Sequence, residues 1–213
     1  MAGPIANSWR TSAIKSRILN VAQTSVYQVK LQPPSAVNSF LDSRGFSYSQ
    51  DGTNVELLCN ATTLPGPNFY THEVKNDHAG VTERMVYRKD FDSSVDFTFM
   101  VDHKYDVVEM FDGWMDFIAG YNEDPEEDAN QALGYRMRYP NEYRSDNVYI
   151  SKFEKNVNSV GGGDSSYQMT YQLIGAYPKQ VQPTQVNYDR SQVLSYTVSM
   201  GFIRYIRTRE RLK

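Results

Sequence analysis

Two adjoining stretches of this chain carry clear hydrophobic periodicity. From Ser94 to Val101, Val95, Phe97, Phe99 and Val101 alternate with Asp96, Thr98 and Met100, the period-two pattern of a strand with one buried face. Directly after it, residues 102–121 set Val107, Phe111, Trp114 and Ile118 at spacings of four, three and four, one stripe of a helix. Asp102 is placed to cap its N-terminus and Gly120 to end it. Asp106, Glu109, Asp112 and Asp116 fall off the stripe and predict an acidic outer face.

The rest of the chain is read from weaker signals. Ser8 or Thr11 caps a short amphipathic helix with Ile14, Ile18 and Leu19 on one stripe and Arg10, Lys15 and Arg17 elsewhere. Val26–Leu31 reads as a strand stopped by Pro33 and Pro34. Residues 35–53, rich in Ser, Asn, Asp and Gly, read as a loop with a marginal strand near Phe46–Tyr48. Val55–Cys59 then reads as a second strand, ended by Leu64-Pro-Gly-Pro67. Asn68–Asp92 alternates weakly around His78-Ala-Gly80. It reads as a long hairpin that cannot bury a full face in its own domain and reaches out to something else. Glu123–Asp128 is a charge run, and Asn130–Asp146 a loop rich in Tyr and Arg. Val148–Glu154 and Tyr167–Ile174 read as strands, with Gly161–Gly163 a flexible turn between them. Val193–Ile206 reads as one long strand with Leu194, Tyr196, Val198, Met200 and Phe202 on one face. Six or seven strands and two helices predict a mainly-β (α+β) domain with a helix flanking it.

Composition narrows the class. A chain of 213 residues, against about 150 per domain, argues for a single domain. A net charge of -3 and a pI near 5.6 exclude a strongly basic surface as the dominant feature. Mean hydropathy is -0.59, and no run approaches the roughly 18 apolar residues of a membrane span, so no membrane insertion is expected. The N-terminus lacks the apolar core of a secretory signal and is expected to stay in the mature protein. Cys59 is the one cysteine and closes no internal disulfide. Sixteen Tyr and ten Phe suit pleated sheets and also surfaces that a partner buries.

Catalytic chemistry finds little purchase, and no catalytic, cofactor-binding or metal-ligating residue is assigned. His72, His78 and His103 lack the spacing that places two ligands on one helical face. Cys59, in an apolar segment without a basic neighbour, reads as a buried inert thiol. Gly161-Gly-Gly163-Asp164 is not closed by Lys and Ser/Thr, so phosphate cradling is not expected. The acids at 123–128 lack the alternation of a calcium loop. Arg207, Arg209 and Arg211 form a basic cluster in the last ten residues without interleaved aromatics and glycines. It reads as a charged end to the last strand, or as a patch that meets a neighbour's acidic surface.

The order of segments says more than any motif. An entry strand over residues 22–31 leads to Leu57-Leu-Cys-Asn-Ala-Thr-Thr-Leu-Pro65 and a long polar hairpin. Asp90-Phe-Asp92 then enters the aromatic strand at Val95–Phe99, and a helix bearing Phe111-Asp-Gly-Trp114 follows. This order resembles the tail tube proteins of contractile-tailed, T4-like bacteriophages, well over residues 22–121 and loosely at 167–174 and 193–206. The resemblance implies a small β-barrel or sandwich of two packed sheets, like that of secretion-system tube proteins, with a flanking helix and a protruding hairpin. It also implies homo-hexameric rings stacking into a virion tube that conducts viral DNA. The partners it implies are a tail sheath protein and baseplate and terminator proteins, with assembly in the host bacterial cytoplasm. Carried over by position, 1–21 is an N-terminal arm, 66–92 the hairpin between subunits, 102–121 the flanking helix and 122–147 a surface insertion. Long segments at 32–53, 122–147 and 155–166 keep open a baseplate tube initiator of the same fold. A carbohydrate hydrolase using two acids, and a nucleic-acid module using residues 204–213, are the readings from other classes.

Overall fold

The computed structural model describes residues 22, 24–75, 80–120, 137–153, 167–184, 186–188 and 193–211. The readings made for the N-terminal helix, the acidic run at 123–128, the glycine turn at 161–163 and His78 lie outside them.

Alternation in the sequence becomes two four-stranded antiparallel sheets. The first has the order β1-β6-β7-β10, built from β1 (Tyr27–Leu31), β6 (Val148–Phe153), β7 (Tyr167–Ile174) and β10 (Arg204–Arg211). The second has the order β2-β5-β9-β8, from β2 (Cys59–Thr62), β5 (Ser94–Met100), β9 (Ser195–Gly201) and β8 (Tyr177–Val181). In β5 the predicted face holds: Val95, Phe97 and Phe99 are buried opposite Met200, Val198 and Tyr196 of β9. The other face of that pair is polar and satisfies itself, Thr98 with Thr197 at 3.1 Å and Ser199 with Asp96. Val29, Leu31, Val148, Ile150 and Leu173 of the first sheet join the same core. The fold is thus mainly β, two packed sheets with a long helix against them.

That helix, α3 (Asp106–Ala119), buries Val107, Phe111 and Trp114 of the predicted stripe and adds Met110 and Phe117, while Ile118 is partly covered. It begins four residues after Asp102. Tyr105, at φ +62°, is the residue before its first turn, and the Asp102 carboxylate accepts the Asp106 N–H at 3.2 Å. Gly120, at φ +72°, ends it as predicted. The expectation of an acidic outer face holds in part. Asp112 is exposed and accepts the Tyr196 hydroxyl at 2.6 Å, and Glu109 and Asp116 are partly exposed, Asp116 pairing with Arg44 at 2.7 Å, but Asp106 is buried.

The cover comes from the segment read as a loop. Residues 35–53 are not a loop with a marginal strand, and 55–59 is not a strand. Instead α1 (Ser35–Ser43) and α2 (Tyr48–Leu57) pack on α3, and β2 starts only at Cys59. Val37 and Leu41 bury one side of α1. In α2, the Tyr48 hydroxyl donates to Glu56 at 2.9 Å, and Glu56 accepts the Leu31 N–H at 3.0 Å. Tertiary contacts thus override poor helix formers. A short α4 (Pro140–Tyr143) places the Tyr143 carbonyl where Trp114 Nε1 donates to it at 3.0 Å.

The strand read over 193–206 is also corrected. The chain leaves the second sheet at Gly201 and enters the first at Arg204, so β9 and β10 belong to different sheets. Beside that crossing, β7 passes into β8 through Gly175, at φ +66°, and the Ile203 N–H donates to the Ile174 carbonyl at 3.0 Å. A strand bends at such a corner only where small residues allow it. β8 itself was not foreseen. It holds Pro178, whose missing N–H an edge strand tolerates because no further strand lies on its outer side to accept a hydrogen bond.

Candidate assembly interface

The third sheet is the pair β3 (Pro67–Val74) and β4 (Glu83–Phe91), in register from Pro67 opposite Phe91 to Val74 opposite Glu83, with a bulge beside Tyr70. Neither strand packs appreciably on any element but the other. Its base is tied down: Asp92 accepts the Gly66 N–H at 2.7 Å, and the Phe91 ring meets Tyr205 edge-on at 5.3 Å. Beyond the base the side chains stand in solvent, including Phe69, Tyr70, Met85, Val86 and Tyr87. Tyr70 and Tyr87 stack at 6.2 Å, and Glu73 bridges Arg84 at 3.0 Å and Lys75 at 3.1 Å. A two-stranded ribbon is marginal alone, and so many exposed apolar side chains on it mark a contact surface.

Sheet margins are the second feature. β1 and β10 are the outer strands of the first sheet, and β2 and β8 those of the second, so each leaves a row of backbone groups unpaired within the sheets. The basic cluster lies on β10. There Arg207 stands opposite Tyr171 and Arg209 opposite Met169, both exposed, with the Arg209 guanidinium 4.0 Å over the Tyr167 ring. Sequence reasoning saw the arginines and missed that they occupy a paired strand.

Of the residues weighed for chemistry, His72 lies exposed on β3 and His103 exposed ahead of α3, far apart in the chain order of elements. Cys59 opens β2, where its Sγ lies 3.6 Å from the Ala61 carbonyl and burial pushes its thiol up to about 11. The Tyr27 hydroxyl donates to the Cys59 carbonyl at 3.0 Å, and burial raises that phenol to about 12. Among the described residues no three His, Cys, Asp or Glu side chains group to hold a metal ion.

A scan against protein families matches the model described as phage tail tube protein, over residues 22–208. The chain belongs to that family. Membership makes it a structural tail component, and the exposed ribbon and open margins are therefore features of a tail tube protein. Comparison with curated proteins found no match. Among solved structures, the tail tube chain is similar to a chain of the sheath-tube complex of an extracellular contractile injection system, PVC, in its extended state. That likeness has 12% identity and a TM-score of 0.46, over 95% of this chain and 99% of that one. It is also similar to a chain of the anti-feeding prophage baseplate, at 11% identity and TM-score 0.48, over 88% and 97%. An Hcp protein is matched at 9% identity and TM-score 0.37, over 87% and 98%.

Proposed function

We propose that copies of this chain close into six-membered rings, that the rings stack into the tube of a contractile tail, and that viral DNA passes through it. In this reading the sheath lies outside the tube, baseplate and terminator proteins meet its two ends, and the chain has no enzymatic activity. The observation that carries it is the β3–β4 ribbon, whose Phe69, Tyr70, Met85, Val86 and Tyr87 stand exposed among the described residues while its base is fastened by Asp92 and Phe91. Exposed apolar side chains on a fastened, projecting ribbon are what a repeating contact between identical copies uses. A heterologous contact of that kind closes into rings or runs on as a filament. Unpaired margins at β1, β10, β2 and β8 supply the sites where sheets of adjacent copies continue into one another. The mildly acidic composition suits a channel along which a polyanion slides without sticking.

Negative-stain microscopy of the purified full chain tests the proposal. Hollow rings or stacked tubes of sixfold symmetry are the expected result, and isolated single rings that never stack would assign the chain to a tube initiator instead. A strictly monomeric species at high protein concentration and moderate salt overturns the reading.

A further inference from the structure

The basic cluster near the end of the chain lies, in the fold, along a run of aromatic rings. Lys89, at the base of β4, holds its ammonium 5.1 Å over the Phe91 ring; Phe91 meets Tyr205 edge-on at 5.3 Å, and Tyr205 lies 5.7 Å from Tyr171. Arg207 stands opposite Tyr171, and two residues further along β10 the Arg209 guanidinium lies over Tyr167 at 4.0 Å. Lys89, Arg207 and Arg209 are all exposed, and among the described residues none of them joins an ion pair. Cations resting on rings are held in place while their charge stays open to a partner.

The opposite margin of the same sheet carries the other sign. There α2 lies against β1, where Glu56 accepts the Leu31 N–H at 3.0 Å, and α2 in turn packs on α3. This shoulder presents Asp51, Asp102 and Glu109, set against Lys104 at 4.0 Å from Asp51. Behind them Asp106 is 9% exposed, and its Oδ2 has no hydrogen-bond partner among the described residues. Burial first, then the charges of Asp102 and Asp51, raise the Asp106 pKa, with Lys104 and His103 opposing. The field at the shoulder is therefore net negative. Three strand spacings, about 14 Å, separate β1 from β10, so the basic stripe and the acidic shoulder of one copy stand apart.

We propose that the stripe of Lys89, Arg207 and Arg209 docks on the acidic α2–α3 shoulder of a second copy, an electrostatic latch between neighbouring subunits that rests on the assembly proposed above. Charge complementarity selects this occupant. Copies that each carry a net charge of -3 repel one another on average, so a productive encounter must bring a positive patch to a negative one. The stripe is also continuous with the exposed ribbon, because Lys89 and Phe91 belong to β4 itself. Opposite signs at opposite margins of one sheet make the contact heterologous, the head-to-tail kind that closes into rings or runs on as a filament.

Charge exchange in the full chain tests the latch. One variant carries Arg207→Glu and Arg209→Glu; the other carries Asp51→Lys and Glu109→Lys, which leave the hydrogen bonds of Asp102 and Asp112 in place. Sedimentation over a dilution series is expected to show each variant alone assembling only at a concentration about tenfold higher or more than wild type, with unchanged circular dichroism. An equal mixture of the two, in which every contact again joins opposite signs, is expected to return to near the wild-type threshold. A second measurement needs no variant: the wild-type threshold is expected to rise about tenfold or more between low and high salt, as screened charges release their hold. Folded variants that assemble at the wild-type threshold overturn the latch and leave the ring reading standing, as does a mixture that stays as weak as its parts or a threshold insensitive to salt. Duplex DNA retained by the wild type and lost with Arg207→Glu and Arg209→Glu, at an unmoved threshold, would give the stripe to a polyanion and overturn the latch as well. A wild type that assembles at no concentration overturns both readings.

Discussion

Replacing Met85 and Tyr87 together by serine separates a surface made for contact from one that holds the subunit together. Met85 is 52% and Tyr87 67% exposed, and beyond its base their ribbon packs appreciably on no other described element. The subunit therefore loses little, mainly the stack of Tyr87 on Tyr70, below about 1 kcal/mol. Full burial of such a side chain contributes about 1.5–3 kcal/mol, and half or more of that is still unrealised in the free subunit. Covering both by a second copy is thus worth roughly 2–4 kcal/mol per contact. At 1.4 kcal/mol per factor of ten, the concentration needed for assembly rises roughly thirty- to several-hundred-fold. Analytical ultracentrifugation over a dilution series reads that threshold, and calorimetry of the unassembled fraction reads subunit stability. The reasoning is refuted by a variant that assembles at the wild-type threshold, or one whose melting temperature falls as far as a core truncation would bring it.

Three further perturbations probe the frame behind the ribbon. Trp114→Phe leaves the Tyr143 carbonyl without its 3.0 Å donor and opens space in the core, so chemical denaturation should show a loss of about 2–3 kcal/mol. Gly175→Ala forces a Cβ onto a backbone at φ +66° and to 2.7 Å from Ile203 Cδ1, and thermal unfolding should show a loss of about 1–2 kcal/mol. Asp106 has its pKa raised by burial first and by the nearby charges of Asp102 and Asp51 after it, with Lys104 and His103 opposing. Its stabilising contribution is therefore full below its ordinary value near 3.8 and is lost as pH rises through the raised one. Asp106→Asn should make the protein more stable than wild type at neutral pH, with the gap closing on acidification in urea titrations. A constant gap across pH would show that the carboxylate's ionisation is not its source.

Periodicity made legible the parts whose partners lie close in the sequence. The alternation of Val95, Phe97 and Phe99, the stripe of Val107, Phe111 and Trp114, and the stop at Gly120 were all readable from residue types alone. So was the ribbon as a segment too polar to bury itself. Less legible were elements decided by distant neighbours. Ser35–Leu57 has the composition of a loop, yet Val37 and Leu41 reach the core and Glu56 accepts from Leu31, contacts that no local window contains. The break at Phe202 left no mark on the alternation, because Met200 and Phe202 are both buried on either side of a change of sheet. The basic cluster was visible, but its place on an edge strand depends on pairing with Tyr167–Tyr171, about forty positions earlier. For the interface the polar, projecting hairpin was readable, whereas its exposed apolar side chains and the identity of the open margins were not, since only the sheet order says which strands are outermost.

Twice at one corner the polypeptide changes sheet, at Gly175–Ala176 and again at Phe202–Ile203, and the Ile203-to-Ile174 hydrogen bond laces the two passages together. A tensile load entering through β7 or β10 is handed to β8 or β9 along covalent backbone rather than across side-chain packing. The two sheets consequently cannot slip past each other one at a time. Under an applied pull, the two sheets are therefore expected to yield together rather than in turn.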